Sequence, residues 1–262
     1  MMVELGRAKR QSIRAVCESS SEVLVRGAME GTMGHVWVPG LENASFCLIV
    51  AGDFAYLLGL PPKGAGALDL KAQIYRCSSG CCLYPQNDQW RQWLEDEFAG
   101  QLRTVVRYAL RQESGGFDRE LLNSYVKSIP QGMRIRRIDE RLYRLALKEE
   151  WSQDLCASFE DNKHFQTHGF GYGAMKGHRL AAGCLAYGAS EGMMKVQVKT
   201  RKEYRRQGLA LACSAAFVLE CLEKDITPNW EATNQQSAEL ALKLGYVHEK
   251  EYQVYQLLEI EN

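Results

Sequence analysis

The run Val196-Gln-Val-Lys-Thr-Arg-Lys-Glu-Tyr-Arg-Arg-Gln-Gly-Leu-Ala210 constrains this chain more than any other segment. It reads as a buried strand, a basic turn, and a glycine that opens an apolar helix over Gln207 to Leu222. A helix this apolar has few faces left for water and must lie against a sheet. Its first turn leaves backbone N–H groups without intrahelical partners, at the positive end of the helix dipole. A phosphate or pyrophosphate is the natural guest there. Arg201, Lys202, Arg205 and Arg206 add charge to the turn, and Gly208 has no Cβ to hold an anion off the backbone.

A second segment follows a predicted strand at 229–233: Asn234-Gln-Gln-Ser-Ala-Glu-Leu-Ala-Leu-Lys-Leu-Gly-Tyr246. Asn234 suits an N-cap whose side chain accepts from the N–H of Ser237. Gly245 suits the left-handed position that closes such a helix. The predicted helix spans 235–244, and a last strand runs from Tyr246 to Leu257.

The two segments together resemble the GNAT superfamily of N-acyltransferases. Its acyl-CoA motif reads Arg or Gln, two residues, Gly, one residue, then Gly or Ala. Here these are Arg205, Gly208 and Ala210, with Tyr204 at the usual entry. An Asn at the end of the fifth strand, a short helix and a Gly-aromatic pair complete the family pattern at Asn234 and Gly245-Tyr246. The chain is also similar to a two-domain bacterial branch of the superfamily. That similarity rests on Gly52-Asp-Phe-Ala-Tyr-Leu-Leu-Gly59, Val196-Gln-Val-Lys-Thr200, Pro228-Asn-Trp-Glu-Ala232 and Leu242-Lys-Leu-Gly-Tyr246.

The resemblance implies an α+β fold. A GNAT-like mixed β-sheet flanked by helices is expected over 131–262, preceded by a smaller α/β domain over 1–130. It implies acetyl-CoA as acyl donor and a small-molecule or peptide amine as acceptor, with direct attack in a ternary complex. The strand ending at Val198, Lys199 and Thr200 is expected to part from its neighbour and pair with the pantetheine arm, as an edge strand pairs with a peptide. One of its N–H groups would polarise the thioester carbonyl. Arg205, Arg206, Gln207, Gly208, Leu209 and Ala210 would hold the pyrophosphate, Asn234 would also lie in the cofactor site, and Ser237 would donate to the pantetheine arm or the 3′-phosphate region. The N-terminal domain is expected to supply a wall of the acceptor site or a homodimer contact.

Catalysis is where the chain departs from the family pattern. An attacking amine must be neutral, and a leaving thiolate benefits from an acid. Many family members place a Tyr acid four residues before the Gly-aromatic pair, and here that position is Ala241. Others carry a Glu base on the fourth strand. That strand reads Met194-Lys-Val-Gln197 here, with Glu191 only at its start. Glu231 on the fifth strand is the candidate base, and a surface carboxylate or the partner of a nearby Arg is the competing reading. Tyr204 is expected to be structural and Tyr246 to lie in the core. A non-catalytic acyl-CoA-binding module stands as the rival function.

Composition excludes several other classes. The 262 residues carry 32 basic and 32 acidic side chains, which gives no bulk attraction to nucleic acid or to a membrane surface. The longest apolar run, 46–51, is too short to span a bilayer. Nine irregularly spaced cysteines argue for a reducing cytoplasm rather than a disulfide framework. His164 and His168 lie four apart, but the first is followed by Phe165 rather than the Glu of the helix-borne zinc motif, and no metal is expected.

Further elements follow from periodicity. Strands are expected at His35–Val38, Phe46–Ala51 and Phe54–Leu58, and a helix at 88–112. The stretch Lys63 to Gly66 reads as a surface loop. Beyond Pro130 and Gly132, a strand at Met133–Ile138, helices at 139–150 and 152–166, and strands at 169–175, 179–188 and 192–200 are expected.

Overall fold

The computed structural model describes residues 1–258 except Asn43, Ser78, Ser79 and Ala157. The chain forms two compact units. One comprises Met1–Val106 and the chain from Tyr252; the other is Arg107–Glu251. This division differs from the boundary expected between 130 and 131.

In the first unit the elements are β1 (Val3–Glu4), a 3-10 turn (Arg7–Ile13), α1 (Arg14–Cys17), α2 (Val23–Glu30), β2 (His35–Val38), β3 (Phe46–Ala51) and β4 (Phe54–Gly59). Then come α3 (Ala65–Cys77), β5 (Cys82–Pro85), α4 (Asp88–Glu97) and the start of β6 (Leu102–Gln112). Strands β1 to β4 pair antiparallel in sequence order, and β5 adds in parallel to β4. Gly52, at φ 59°, turns β3 into β4. Trp90, Leu94 and Phe98 pack with Leu70, Ile74 and Leu83 in the core of this unit. The indole N–H groups of Trp90 and Trp93 donate to the carbonyls of Gly59 and Pro62, at 2.9 and 3.0 Å.

Two expectations in this unit are corrected. The helix expected over 88–112 ends at Glu97, and 102–112 form strand β6. The spacing of Leu102, Val105, Val106 and Leu110 suits a helix face as well. Gly100, at φ 73°, turns the chain first, and the pairing of Tyr108–Leu110 with a neighbouring strand satisfies the extended backbone. The loop expected at 63–66 passes into α3 at Ala65. Pro61-Pro62 and two glycines masked a helix whose buried stripe is Ala67, Leu70 and Ile74.

The second unit contains the rest of β6, α5 (Arg119–Lys127), β7 (Met133–Arg137), α6 (Glu140–Lys148), a 3-10 turn (Gln153–Leu155) and α7 (Asn162–His168). Beyond these lie β8 (Gly171–Lys176), β9 (Arg179–Ser190), β10 (Met193–Thr200), a 3-10 turn (Lys202–Tyr204), α8 (Leu209–Glu223), β11 (Thr227–Ala232), α9 (Gln235–Leu244) and the start of β12 (Tyr246–Leu257). In place of one helix over 152–166 there are two short pieces, and Ala157 lies outside the described residues. Asp161 explains the restart, since its side chain caps α7 at the N–H of His164, 2.7 Å away.

The strands of this unit run β6–β11–β10–β9–β8–β7. All neighbours are antiparallel except β10 and β11. α8 is the apolar helix that the sequence required to lie on a sheet. It packs on β8, β9 and β10 through Leu209, Cys213, Phe217 and Cys221. Each large apolar side chain so buried contributes about 1.5–3 kcal/mol. α5 and α9 share the α8 side of the sheet, closing over Trp230, Phe117 and Tyr246. None of the nine cysteines is in a disulfide. Burial pushes the thiols of Cys156 and Cys213 up to about 12, so they stay protonated.

Candidate functional site

The site grows from an unfinished strand pairing. β10 and β11 run parallel, but only Met193, Met194 and Lys195 find partners, opposite Thr227, Pro228 and Asn229. Beyond that register the strands part. β11 turns to β6, pairing Trp230, Glu231 and Ala232 with Leu110, Ala109 and Tyr108. β10 continues along β9 as far as Thr200, opposite Ala182. The β9 register slips between Lys195 and Val196, the point at which the fork opens. Such an irregularity bends a strand and strengthens its twist. From Val196 to Thr200, β10 is therefore paired with β9 on one edge and faces the fork with the other. Val198, Lys199 and Thr200 lie on this arm.

The turn after β10 prepares a backbone cradle. Arg206 has φ 61° and Gly208 has φ 75°, two left-handed residues within three. Such alternation turns successive N–H groups toward one side, a concavity suited to anions. Gly208 is the N-cap of α8, and no side chain caps that end. The first helical bond runs from the N–H of Ala212 to the carbonyl of Gly208, at 3.0 Å, so the N–H groups of Leu209 and Ala210 precede the ladder. A Cβ built on Gly208 meets nothing within 4 Å, which leaves the approach to this end open.

The basic side chains of the turn divide into two groups. Lys199 is paired with Asp154, and Arg201 is held by Glu149 and Glu203 at 3.0 and 2.8 Å. Arg205 and Arg206 are exposed, and neither enters an ion pair among the described residues. Gln207 is exposed, its side-chain amide donating to the carbonyl of Glu203 at 3.3 Å. The structure thus places Arg205, Arg206, Gln207, Gly208, Leu209 and Ala210 around one helix end. An acyl-CoA pyrophosphate fits this donor set, with backbone N–H groups in front and two guanidinium groups at the rim.

Asn234 caps α9, accepting from the N–H of Ser237 at 2.9 Å. The Ser237 hydroxyl accepts from the indole of Trp230 at 3.3 Å. Tyr246 is buried. Its hydroxyl donates to the carbonyl of Pro228 at 3.1 Å, and burial pushes it well up from the ordinary tyrosine value. It is a core residue. Ala241 is fully buried. His164 and His168 stack edge to face at 4.8 Å, and no group of metal-binding side chains occurs among the described residues.

Glu231 is neither a surface carboxylate nor an arginine partner. It is ion-paired with Lys195, and the two side chains are 8% and 5% exposed. Sequence reading passed over Lys195 because the contact joins positions 36 residues apart. Only the parallel register that opposes Lys195 to Asn229 reveals it.

Comparison with known proteins agrees with this geometry. The sequence profile of the GNAT acetyltransferase family matches residues 14–255. The Uncharacterized N-acetyltransferase YdfB of Bacillus subtilis (strain 168) is 26% identical over 177 residues, which cover 66% of this chain and 64% of that protein. The chain thus matches somewhat less than two thirds of that relative's length. The crystal structure of a GCN5-related N-acetyltransferase-like protein from Streptococcus suis 89/1591 is 30% identical and has a TM-score of 0.85, covering 96% of this chain and 100% of the other. A GCN5-related N-acetyltransferase from Sphaerobacter thermophilus shares the fold at 12% identity, with a TM-score of 0.56 over 97% of this chain and 94% of that one. With its profile spanning nearly the whole chain and its fork and cradle in the second unit, the chain belongs to the GNAT acetyltransferase family.

Proposed function

We propose that the second unit transfers an acetyl group from acetyl-CoA to the amine of a small molecule or peptide, by direct attack in a ternary complex. One observation carries the reading. β10 and β11 part after Lys195 and Asn229, and the free arm of β10 leads straight to the uncapped end of α8.

In this reading acetyl-CoA supplies an activated acetyl thioester. The α8 end, with Gly208 and the flanking Arg205 and Arg206, binds the pyrophosphate. Backbone groups of Val198, Lys199 and Thr200 pair with the pantetheine amides. Asn234 fixes the start of α9, and the Ser237 hydroxyl remains able to donate while it accepts from Trp230. An N–H of β10 polarises the thioester carbonyl. Glu231, at the mouth of the fork, takes the proton from the attacking amine. Nine cysteines without a disulfide fit a cytoplasmic setting, and no helix among the described residues is long and apolar enough to cross a membrane.

A non-catalytic acyl-CoA-binding module is the second reading, favoured by Ala241 at the usual acid position and by the engagement of Glu231 with Lys195. Calorimetric titration with acetyl-CoA, against ATP and NAD, tests the ligand. Selective micromolar binding is expected, and equal or absent binding overturns the reading. Release of CoA thiol across a panel of amines then separates the enzyme from the module.

A further inference from the structure

Lys195 is a buried cation for which a sheet has no structural need. Met194 packs in one apolar core of the second unit, and Val196 and Val198 pack against two. Lys195 and Gln197 therefore project from the opposite face of β10. Glu231 lies on that same face of β11, since Trp230 and Ala232 on either side of it fill the core beneath α9. The pair bridges the two strands at the last register before they part. Replacing a buried ion pair by apolar residues is often neutral or stabilising, so packing alone gives no reason for one here. A third polar group shares that face of β10. The Gln197 Oε1 atom, one step further into the fork, is buried and meets no hydrogen-bond donor. The fork is thus built with a proton donor, a proton acceptor and an unfilled hydrogen-bond acceptor on one face.

Resting on the acetyl-transfer reading, we propose that Lys195 is the general acid that protonates the departing CoA sulfur. It takes the part that a tyrosine at position 241 would play. In the step, the bond from amine nitrogen to carbonyl carbon forms and the carbon–sulfur bond breaks. Glu231 accepts the proton lost by the amine nitrogen, and the Lys195 ammonium gives one to sulfur. Glu231, now a carboxylic acid, then returns its proton to the neutral Lys195 amine. One amine N–H has become one thiol S–H, the ion pair is restored, and the balance needs no further reactant. A base and an acid that touch each other reset without exchange with solvent.

The test uses CoA itself and does not require the acceptor. An ammonium held against the CoA sulfur favours the thiolate, so the bound thiol should titrate about one pH unit or more below free CoA. Wild type, Lys195→Met, Glu231→Gln and Lys195→Met/Glu231→Met proteins are loaded with CoA, and thiolate absorbance is followed against pH. The double variant is included because Lys195→Met alone strands a buried carboxylate. The downward shift is expected in wild type and in Glu231→Gln, and is expected to vanish in both proteins lacking Lys195, with acetyl-CoA binding retained. A bound thiol that titrates alike with and without Lys195 overturns the assignment and leaves the acetyl-transfer reading intact. Failure of every protein, wild type included, to bind CoA or acetyl-CoA overturns both.

Discussion

Arg137 donates to both carboxylate oxygens of Glu220, from Nε and from Nη2, each at 2.9 Å, and so ties β7 to α8. The Tyr172 hydroxyl adds a third bond at 2.7 Å. Burial alone would raise the Glu220 carboxyl; the bonds from Arg137 and Tyr172 outweigh it and hold the group below the ordinary glutamate value. A carboxylate whose folded value is depressed contributes stability that is complete above its unfolded value and fades as pH falls through the folded one. Wild type should therefore lose this contribution below about pH 4. Glu220→Gln should be less stable at neutral pH by about 1–2 kcal/mol, a modest figure because the Arg137 side chain is 44% exposed. Urea midpoints at neutral and acidic pH check this. A gap between the two proteins that does not narrow in acid means the pair is not its source.

Arg10 plays a similar part in the first unit, with carbonyls as its partners. The residue is 4% exposed, and its guanidinium donates to Ala28 and Met33 at 2.6 and 2.9 Å from Nη1 and to Gly34 at 2.8 Å from Nη2. The Ala28 carbonyl, in the last turn of α2, also accepts from the N–H of Gly31 at 3.1 Å, whereas those of Met33 and Gly34 lie beyond the helix. Arg10→Met should cost about 2–3 kcal/mol, since it takes the guanidinium donors from the Met33 and Gly34 carbonyls at once. The loss should concentrate in amide protons of residues 28–34, read by hydrogen exchange. Protection unchanged there would show that water replaces the guanidinium freely.

The same contrast explains what the sequence disclosed. Local signals carried far. Gly208 and Asn234 mark helix starts that need a particular backbone or cap, and both helices begin there. Short apolar runs bounded by polar or glycine residues located β2, β3 and β4 to within a residue. Ambiguity entered where one pattern served two periods, as in 102–112, where Leu102, Val105, Val106 and Leu110 suit a helix stripe and a half-buried strand alike. Only a partner strand decides such a case. The Lys195–Glu231 pair was hidden for the same reason. Each residue sits in a strand that was legible, but their contact depends on a parallel register, which no local pattern encodes.

Gly208 tests the cradle directly. Its φ of 75° is one that a side chain tolerates poorly, although a Cβ there meets nothing within 4 Å. Gly208→Leu should keep the fold at a cost of about 1–2 kcal/mol of strain. Its side chain would project into the open approach to the α8 end, and affinity for acetyl-CoA should fall by more than tenfold. Circular dichroism and calorimetry read the two effects separately. Unchanged affinity in a folded variant would move the pyrophosphate away from this helix.

Glu231→Gln bears on the proton taken from the amine. The amide keeps the shape of the carboxylate and leaves the fork backbone free to bind acetyl-CoA, so affinity should change little. Removing the base should lower kcat by about 10²-fold or more at neutral pH, with a smaller loss at alkaline pH, where more of the amine is already neutral. The variant also leaves Lys195 buried without its counter-charge, and a stability loss of about 3 kcal/mol is expected. Steady-state thiol release across pH, beside urea unfolding, distinguishes the two consequences. A kcat equal to wild type in a folded protein would mean that the amine enters the fork already neutral, or passes its proton to water, and that the buried pair serves the sheet rather than the reaction.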